Sequence, residues 1–174
     1  MKTDDVKPLH FNTPREIPCH LRKAADEELK RCLEAGQLEP CHHYTPWLSR
    51  GMFIGKPSKD GGKMKARLVS DFRQLNRSLK RPHYPLEGSS QLLKILNKNH
   101  RFWAVLDFTS GYHQCELHVD DRDVFSITLP QGKFRYCVFP QGANPSSDMF
   151  LILSDKGLRD CKWIWKNMDN ILVG

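Results

Sequence analysis

Two aspartates of this sequence end or interrupt apolar segments, where a carboxylate is well placed for metal chemistry. Asp107 ends the segment F-W-A-V-L-D at 102–107, and Asp169 lies between W-K-N-M and N-I-L-V. A carboxylate at a strand end, or in a turn between strands, is held in place and reaches solvent at the sheet edge. If folding brings both together, they form a site for oxygen-preferring cations such as Mg²⁺, and two such ions can stabilise a phosphoryl displacement. The alternative, for each aspartate taken alone, is that it simply ends a strand.

The elements that must position these carboxylates are a mixture of helices and strands, which favours an α+β fold. Residues 1–16 are polar, contain prolines and predict an extended N-terminal arm. Helices are predicted at 21–35, at about 88–97 and at 145–159. Gly36 suits the C-terminal cap of the first helix, and Asn144 or Ser146 suits the N-terminal cap of the third. Strands are predicted at 47–56, 64–72, 101–107, 123–129, 133–139, 162–167 and 171–174, with hairpins at 47–72 and 123–139.

Composition narrows the class of protein. The 174 residues include 39% hydrophobic residues, which favours a globular chain over a collagen-like, coiled-coil or disordered one. The excess of 27 Lys and Arg over 20 Asp and Glu gives a net charge of +7 and suggests a nucleic-acid partner. No apolar run approaches the ~20 residues that span a bilayer. The first residues lack the apolar core of a signal peptide, and the six cysteines form no CxxC pair. We therefore expect a cytoplasmic or nuclear location and no membrane partner.

Five motifs occur in order along the chain. They are R-L-V-S-D-F-R-Q-L-N at 67–76, P-H-Y-P-L at 82–86, L-D-F-T-S-G-Y-H-Q at 106–114, P-Q-G-A-N-P at 140–145 and N-M-D-N-I-L-V at 167–173. Together they resemble the polymerase domain of reverse transcriptases, closest to the gypsy-type LTR retrotransposons and more distantly to the retroviral enzymes. The resemblance covers residues 17–174.

The resemblance implies a right-hand polymerase fold. Fingers would comprise about 17–84 and 119–140, and a partial palm about 85–118 and 141–174. The thumb would be absent, so we expect a truncated domain. The implied function is template-directed DNA synthesis by two-metal phosphoryl transfer in the parent enzyme. The implied cofactors are two Mg²⁺ or Mn²⁺ ions, and the implied partners are an RNA or DNA template-primer and dNTPs.

The resemblance also implies roles for individual residues. Asp107 and Asp169 would be catalytic metal ligands, joined by the backbone carbonyl of Phe108, with Asn170 at a further ligand position. The remaining assignments concern the dNTP. Tyr112 would lie beneath its sugar and reject a 2′-hydroxyl, and Arg67 would contact its base and phosphates. Other dNTP contacts would come from Lys65 (or Lys63), Phe108, Gln141, Gly142 and Met168.

One motif departs from the family pattern. Active members carry x-x-D-D, whereas this chain has Asn167-Met168-Asp169-Asn170. Asn170 stands in place of the second aspartate and brings an amide oxygen without a negative charge, which weakens metal binding. We therefore expect a degenerate, impaired enzyme. The alternative is a non-catalytic nucleic-acid-binding or protein-binding remnant of a retrotransposon polyprotein.

Several other residues could bind a metal or pack in the core. Cys19, His20, Cys41, His42 and His43 could form a zinc site, but their spacing matches no standard zinc finger, and we interpret them as loop or surface residues. The acids of V-D-D-R-D at 119–123 are interpreted as part of a turn and not as metal ligands. Trp163 and Trp165 are predicted to share one face of a strand, and Cys115 and Cys137 to fill apolar space.

Overall fold

A computed structural model describes residues 7–8, 10–57, 63–85, 89–96 and 100–174. It contains both helices and antiparallel strands, so the predicted α+β class is confirmed. The helices are α1 (Arg22–Glu34), α2 (Arg73–Asn76), α3 (Ser89–Leu96) and α4 (Asn144–Leu158). The strands are β1 (Leu38–Pro40), β2 (Ser49–Lys56), β3 (Lys65–Asp71), β4 (Ala104–Asp107), β5 (Ser126–Leu129), β6 (Gly132–Tyr136), β7 (Ile164–Asn167) and β8 (Asn170–Val173). Short 3₁₀ helices lie at Cys19–Leu21, Gly111–Gln114 and Val119–Phe125.

The larger sheet has five strands in the order β1-β6-β5-β2-β3. Strands β2 and β5 pair in parallel, and the other neighbours pair antiparallel. The predicted hairpins at 47–72 and 123–139 are both present, although residues 58–62 at the basic tip of the first lie outside the described residues. In the first hairpin Lys56 lies opposite Lys65 and Ile54 opposite Arg67.

Helix α1 covers one face of the larger sheet. Ala25, Leu29 and Cys32 are buried at the spacing that places them on one side of a helix, and α1 packs on β3. The helix ends at Glu34 with Ala35 as its cap, and Gly36, the predicted cap, follows directly with a φ of +64° that favours a residue without a Cβ. There Gly36 N donates to Leu33 O, and Gln37 N donates to Cys32 O at 2.9 Å, which satisfies carbonyls that the helix leaves unpaired.

Aromatic rings fill the core of the larger sheet. Phe72 is 1% exposed and meets the rings of Phe125 and Tyr136 edge-on, at centroid distances of 5.9 and 6.0 Å. Beside them, all four residues of β5 are buried. Burial of this apolar area is the main source of stability in such a sheet.

The smaller sheet has three strands in the order β4-β8-β7. Strand β8 returns from β7 through a two-residue turn at 168–169, so that Asn167 pairs with Asn170. It then pairs antiparallel with β4 and sets Asn170 opposite Asp107. Lys166 of β7 is buried and donates from Nζ to Ser154 Oγ at 2.6 Å, to Leu151 O at 3.2 Å and to Asp155, which fixes the sheet on α4.

Some predicted boundaries were wrong. The strand predicted at 123–129 begins at Ser126, because 119–125 forms a 3₁₀ helix whose first turn carries two aspartates. The strand predicted at 101–107 comprises only Ala104–Asp107. Trp163 lies outside β7 with a φ of 60° and its ring against His100, so it does not share a strand face with Trp165.

The predicted cap of α4 was also wrong. Ala143 occupies the capping position, and neither Asn144 nor Ser146 caps with its side chain. Asn76 accepts instead from Asn144 N at 2.9 Å, and Ser146 Oγ donates to Pro140 O at 2.7 Å. A distant asparagine thus takes the role that the sequence favoured for a local side chain. Among the described residues, no helix is long and apolar enough to cross a membrane.

Candidate active site

A cavity of about 650 Å³ is lined by residues of both sheets and of α1. Its lining includes both aspartates that the sequence singled out, Asp107 and Asp169. It also includes five more of the predicted site residues together with neighbours that the motifs did not indicate. The predicted members are Arg67, Phe108, Tyr112 and the pair Gln141 and Gly142.

The two aspartates are brought together by strand pairing. Asp107 is the last residue of β4, and Asp169 lies in the turn that joins β7 to the neighbouring strand β8. The peptide N–H of Phe108 donates to the carbonyl of Asp169 at 2.9 Å, which links the end of β4 to that turn. Met168 adopts a φ of 55°, the left-handed conformation that a tight two-residue hairpin turn requires. The arrangement presents two carboxylates at one sheet edge.

Asn170 interacts with one of these carboxylates. Its side-chain amide donates to Asp169 Oδ1 at 3.2 Å. The residue is exposed, and neither it nor Met168 is among the residues that line the cavity. An aspartate in its place would set a third negative charge beside Asp169, whereas Asn170 supplies a hydrogen-bond donor.

Phe150 of α4 supports the segment that follows Asp107. Its ring lies edge-on to Phe108, with centroids 5.2 Å apart, and meets Tyr112 at 5.5 Å. Gly111 passes so close that an added Cβ would lie 2.7 Å from the Phe150 ring. Phe150 is 3% exposed and therefore acts as a fixed base for both aromatic residues of the motif. No motif indicated Phe150, because it is distant in sequence and lies in an ordinary apolar run.

Arg67 and Gln141 meet on the lining of the same cavity. The Arg67 guanidinium donates from Nη2 to Gln141 Oε1. The adjacent Gly142 has a φ of +88°, and its carbonyl accepts from Asn76 Nδ2 at 2.9 Å, which fixes the loop that carries Gln141. Lys65 is exposed and does not line the cavity, whereas its cross-strand partner Lys56 does.

The cavity lining also contains titratable groups to which sequence reasoning assigned no role. Arg31 Nε donates to Glu28 Oε2 at 2.8 Å, and this hydrogen bond raises the pKa of Arg31. Burial raises the pKa of Cys32 to about 11, so this residue stays a thiol at neutral pH. Burial also lowers the pKa of His113, and the positive charges of Arg31 and Arg67 add to that effect. The packing of α1 against β3 brings Glu28, Arg31 and Cys32 to the cavity, and His113 comes from the 3₁₀ helix at Gly111–Gln114.

Comparison with known protein families indicates the kind of domain to which this chain is similar. Residues 54–173 match the family model described as reverse transcriptase (RNA-dependent DNA polymerase). The chain is 33% identical over 136 residues to the retrovirus-related Pol polyprotein from transposon gypsy of Drosophila melanogaster, a match that covers 78% of this chain and 13% of that polyprotein. The corresponding polyprotein of transposon opus, from the same species, is 26% identical over 99% of this chain and 17% of its own length. The chain thus spans less than a fifth of either relative.

Solved structures show the same fold. The native prototype foamy virus protease-reverse transcriptase superposes with a TM-score of 0.79 at 17% identity, over 96% of this chain and 21% of that one. The foamy viral protein in complex with an RNA/DNA hybrid gives 0.76 at 18% identity, over 99% of this chain and 22% of that one. The predicted right-hand polymerase fold is therefore confirmed. The chain belongs to the reverse transcriptase (RNA-dependent DNA polymerase) family, and the resemblance to gypsy-type retrotransposons that its motifs predicted is confirmed.

Proposed function

We propose that this chain provides the metal-binding and dNTP-binding parts of a polymerase that adds deoxynucleotides to a primer. The observation that carries the proposal is the shared cavity. Asp107 and Asp169 line it together with Arg67, Gln141 and Tyr112. In this proposal the larger sheet belongs to the fingers and the smaller sheet to the palm.

The donor set suits a hard divalent cation. Asp107 is exposed and Asp169 half-buried, so both carboxylates can exchange water for a metal, and the carbonyl of Phe108 supplies a further oxygen. All are oxygen ligands, which Mg²⁺ and Mn²⁺ prefer. Bound there, such ions would neutralise charge on the transferred phosphoryl group. The protein itself holds the two carboxylates in register through the β4–β8 pairing.

The basic and polar residues on the cavity lining suit the rest of a dNTP. The planar guanidinium of Arg67 can bind phosphate oxygens through two parallel hydrogen bonds, and Gln141 holds it in place before substrate arrives. Lys56 offers a second positive charge on the cavity lining, while Lys65 and Met168 stay predictions for the dNTP site. Tyr112, fixed by Phe150, presents a rigid ring that would exclude a 2′-hydroxyl.

The template-primer is the proposed macromolecular partner. The net charge of +7 favours association with a polyanion. The foamy viral relatives of the same fold include complexes with double-stranded DNA and with an RNA/DNA hybrid. For this chain, template-primer and dNTP binding are inferences from that likeness and from the charges at the cavity.

Asn170 is expected to reduce the activity of this site. It replaces a carboxylate by an amide beside Asp169, so the site carries one negative charge fewer for compensating divalent cations. This observation also supports a second candidate function, the binding of nucleic acid without nucleotide incorporation.

Primer extension with Mg²⁺ or Mn²⁺ tests the catalytic proposal. Asp107→Asn should lower any incorporation by a factor on the order of 10²–10³, because it removes a charge on which the transferred group depends. Asn170→Asp should lower the Mg²⁺ concentration at half-maximal rate. Asn167→Asp is the matched control, since it adds the same charge at the cross-strand partner of Asn170, whereas Asn170 is the residue whose side chain contacts Asp169. Unchanged incorporation in Asp107→Asn would contradict the site assignment.

Filter binding separates the two candidates. If the chain binds template-primer in a salt-sensitive manner and neither it nor Asn170→Asp incorporates nucleotide, the non-catalytic candidate is supported. Incorporation by the Asn170→Asp variant alone would identify Asn170 as the site of decay. Absence of binding at low salt would contradict both candidates.

A further inference from the structure

Three metal-ligating side chains meet at the larger sheet, away from the cavity. They are Cys41, which follows β1, His43, which lies two residues later, and Asp123 from the 3₁₀ helix at Val119–Phe125. We call them the Cys41 cluster. None of the three lines the cavity that contains Asp107 and Asp169. The sequence placed Cys41 and His43 among loop residues and Asp123 in a turn, and it gave no reason to expect a meeting across 80 positions.

The separations within the Cys41 cluster fit one small cation. His43 Nε2 lies 3.0 Å from both carboxylate oxygens of Asp123, and Cys41 Sγ lies 3.8 Å from His43 Nε2. The three ligand atoms all lie within 4.8 Å of one another. In a tetrahedral zinc site with bonds of about 2.3 Å to sulfur and about 2.0–2.2 Å to nitrogen and oxygen, the ligand atoms are about 3.3–3.6 Å apart. Because the His43 side chain is 52% exposed, its ring can rotate and bring its own separations from Cys41 and Asp123 closer to these values.

The ligand chemistry selects a thiophilic ion. A thiolate, an imidazole and one carboxylate are typical of Zn²⁺ and are a poor set for Mg²⁺ or Ca²⁺, which prefer oxygen. Cys41 is 3% exposed, so its sulfur is enclosed by protein on the side away from His43. Three protein ligands leave a fourth position for water, since His43 and Asp123 face solvent in part.

The surrounding charges are arranged around the carboxylate. Arg135 Nη1 donates to Asp123 Oδ1 at 2.7 Å, which fixes the orientation of the carboxylate; Oδ2, which contacts His43 at 3.0 Å, would bind the ion in exchange for that contact. The same guanidinium donates from Nε to Glu39 Oε1 at 2.6 Å, so Glu39 balances its positive charge. Lys133 Nζ donates to the carbonyl of His43, which anchors the backbone of that residue. Thiolate and carboxylate together would neutralise a divalent ion.

We propose that Cys41, His43 and Asp123 bind one Zn²⁺ ion, with water as the fourth ligand. The ion joins the loop after β1 to the 3₁₀ helix before β5, two segments that otherwise meet through the His43–Asp123 contact and through Arg135. Binding releases the thiol proton of Cys41 to solvent and forms the zinc–sulfur bond. This proposal is independent of the polymerase proposal, because it shares no residue with that site.

Titration of the whole chain with Co²⁺ tests the proposal. Co²⁺ occupies zinc sites and gives a near-ultraviolet charge-transfer band only when a thiolate binds it. Co²⁺ bound by the carboxylates of Asp107 and Asp169 therefore gives no such band. We expect the band to saturate at one equivalent and to disappear when Zn²⁺ is added. Cys41→Ser should remove the band. His43→Gln and Asp123→Asn should each weaken Co²⁺ binding at least about tenfold.

Matched controls keep the test specific. His42→Gln replaces the neighbouring exposed histidine, and Cys161→Ser replaces an exposed thiol elsewhere; both should titrate like the unmodified chain. Asp123→Asn keeps an oxygen for Arg135, and circular dichroism of each variant shows whether it is folded. Lack of the band in the unmodified chain, its retention in Cys41→Ser, or unchanged affinity in folded His43→Gln and Asp123→Asn would each overturn the proposal.

Discussion

Strands β4 and β5 have four residues each, yet one is entirely exposed and the other entirely buried. In β5 every side chain lies within the larger sheet's core, beside Phe125 and Phe134. In β4 every side chain is exposed, with Val105 at 72% and Leu106 at 53%, and the strand ends at Asp107. The larger sheet therefore carries most of the stability. The smaller sheet carries the carboxylates.

This division has a physical basis. A carboxylate that binds cations must keep access to water. In a strand buried on both faces, the loss of hydration would make the ionised form of the carboxylate very unfavourable. Strand β4 avoids that penalty because it is held by backbone pairing with β8 and not by its side chains. Substitutions should therefore separate into those that lower stability at the larger sheet and those that change chemistry at the smaller one.

The largest effect is expected at the core of the larger sheet. Phe72→Ala removes a ring that contacts both Phe125 and Tyr136, and it should lower the free energy of unfolding by about 3–5 kcal/mol. Urea denaturation followed by circular dichroism measures this change. A loss below about 1 kcal/mol would contradict the view that this core dominates stability.

A smaller effect on stability is expected at Gly111, where the packing of the core meets the candidate site. In Gly111→Ala the new methyl group would lie 2.7 Å from the Phe150 ring, so overpacking should cost about 1–3 kcal/mol and displace Phe108 and Tyr112. Gly157→Ala is the matched control, because a Cβ there meets nothing within 4 Å and a helical alanine should stabilise by about 0.5–1 kcal/mol. Thermal unfolding of the two variants should shift in opposite directions, and equal shifts would argue against the Phe150 contact.

His113 links stability to pH at the cavity. Burial holds its pKa below the ordinary value near 6.5, so the unfolded chain takes up a proton before the folded one. Its contribution to stability is complete above about pH 6.5 and is lost as pH falls through the lower folded-state pKa. His113→Gln should therefore flatten the decline of the unfolding free energy between about pH 7 and 5. His42→Gln, at an exposed histidine, is the control for the substitution itself, and equal flattening in both variants would contradict the role of His113.

The smallest effect is expected on β4. Val105→Ala should change the free energy of unfolding by no more than about 0.5 kcal/mol, because the side chain is 72% exposed. Ile127→Val on β5, which removes a single methylene at a position with no exposure, should cost about 0.5–1.5 kcal/mol. If the milder change on β5 were not the more destabilising, the contrast between the two strands would be wrong.

Local patterns predicted much of the fold. The periodic apolar residues of α1, the glycine that follows it and the two hairpins followed from spacing and turn residues alone, and the motifs indicated Asp107 and Asp169. Contacts between distant segments could not be predicted in this way. Three such contacts depend on how the sheets and helices pack. They are the hydrogen bond from Asn144 N at the start of α4 to Asn76, the contact of Phe150 with Gly111, and the meeting of Cys41 with Asp123. Such contacts leave no periodic signal in the residues that make them.

The hydrogen bond between Arg67 and Gln141 has an entropic consequence. Free arginine and glutamine side chains each sample many rotamers, and fixing one fully can cost up to about 1.5–2 kcal/mol. Here the two side chains restrict each other on the cavity lining before any ligand arrives. Part of that ordering therefore occurs during folding, so a triphosphate would meet an arginine that has already lost much of its freedom.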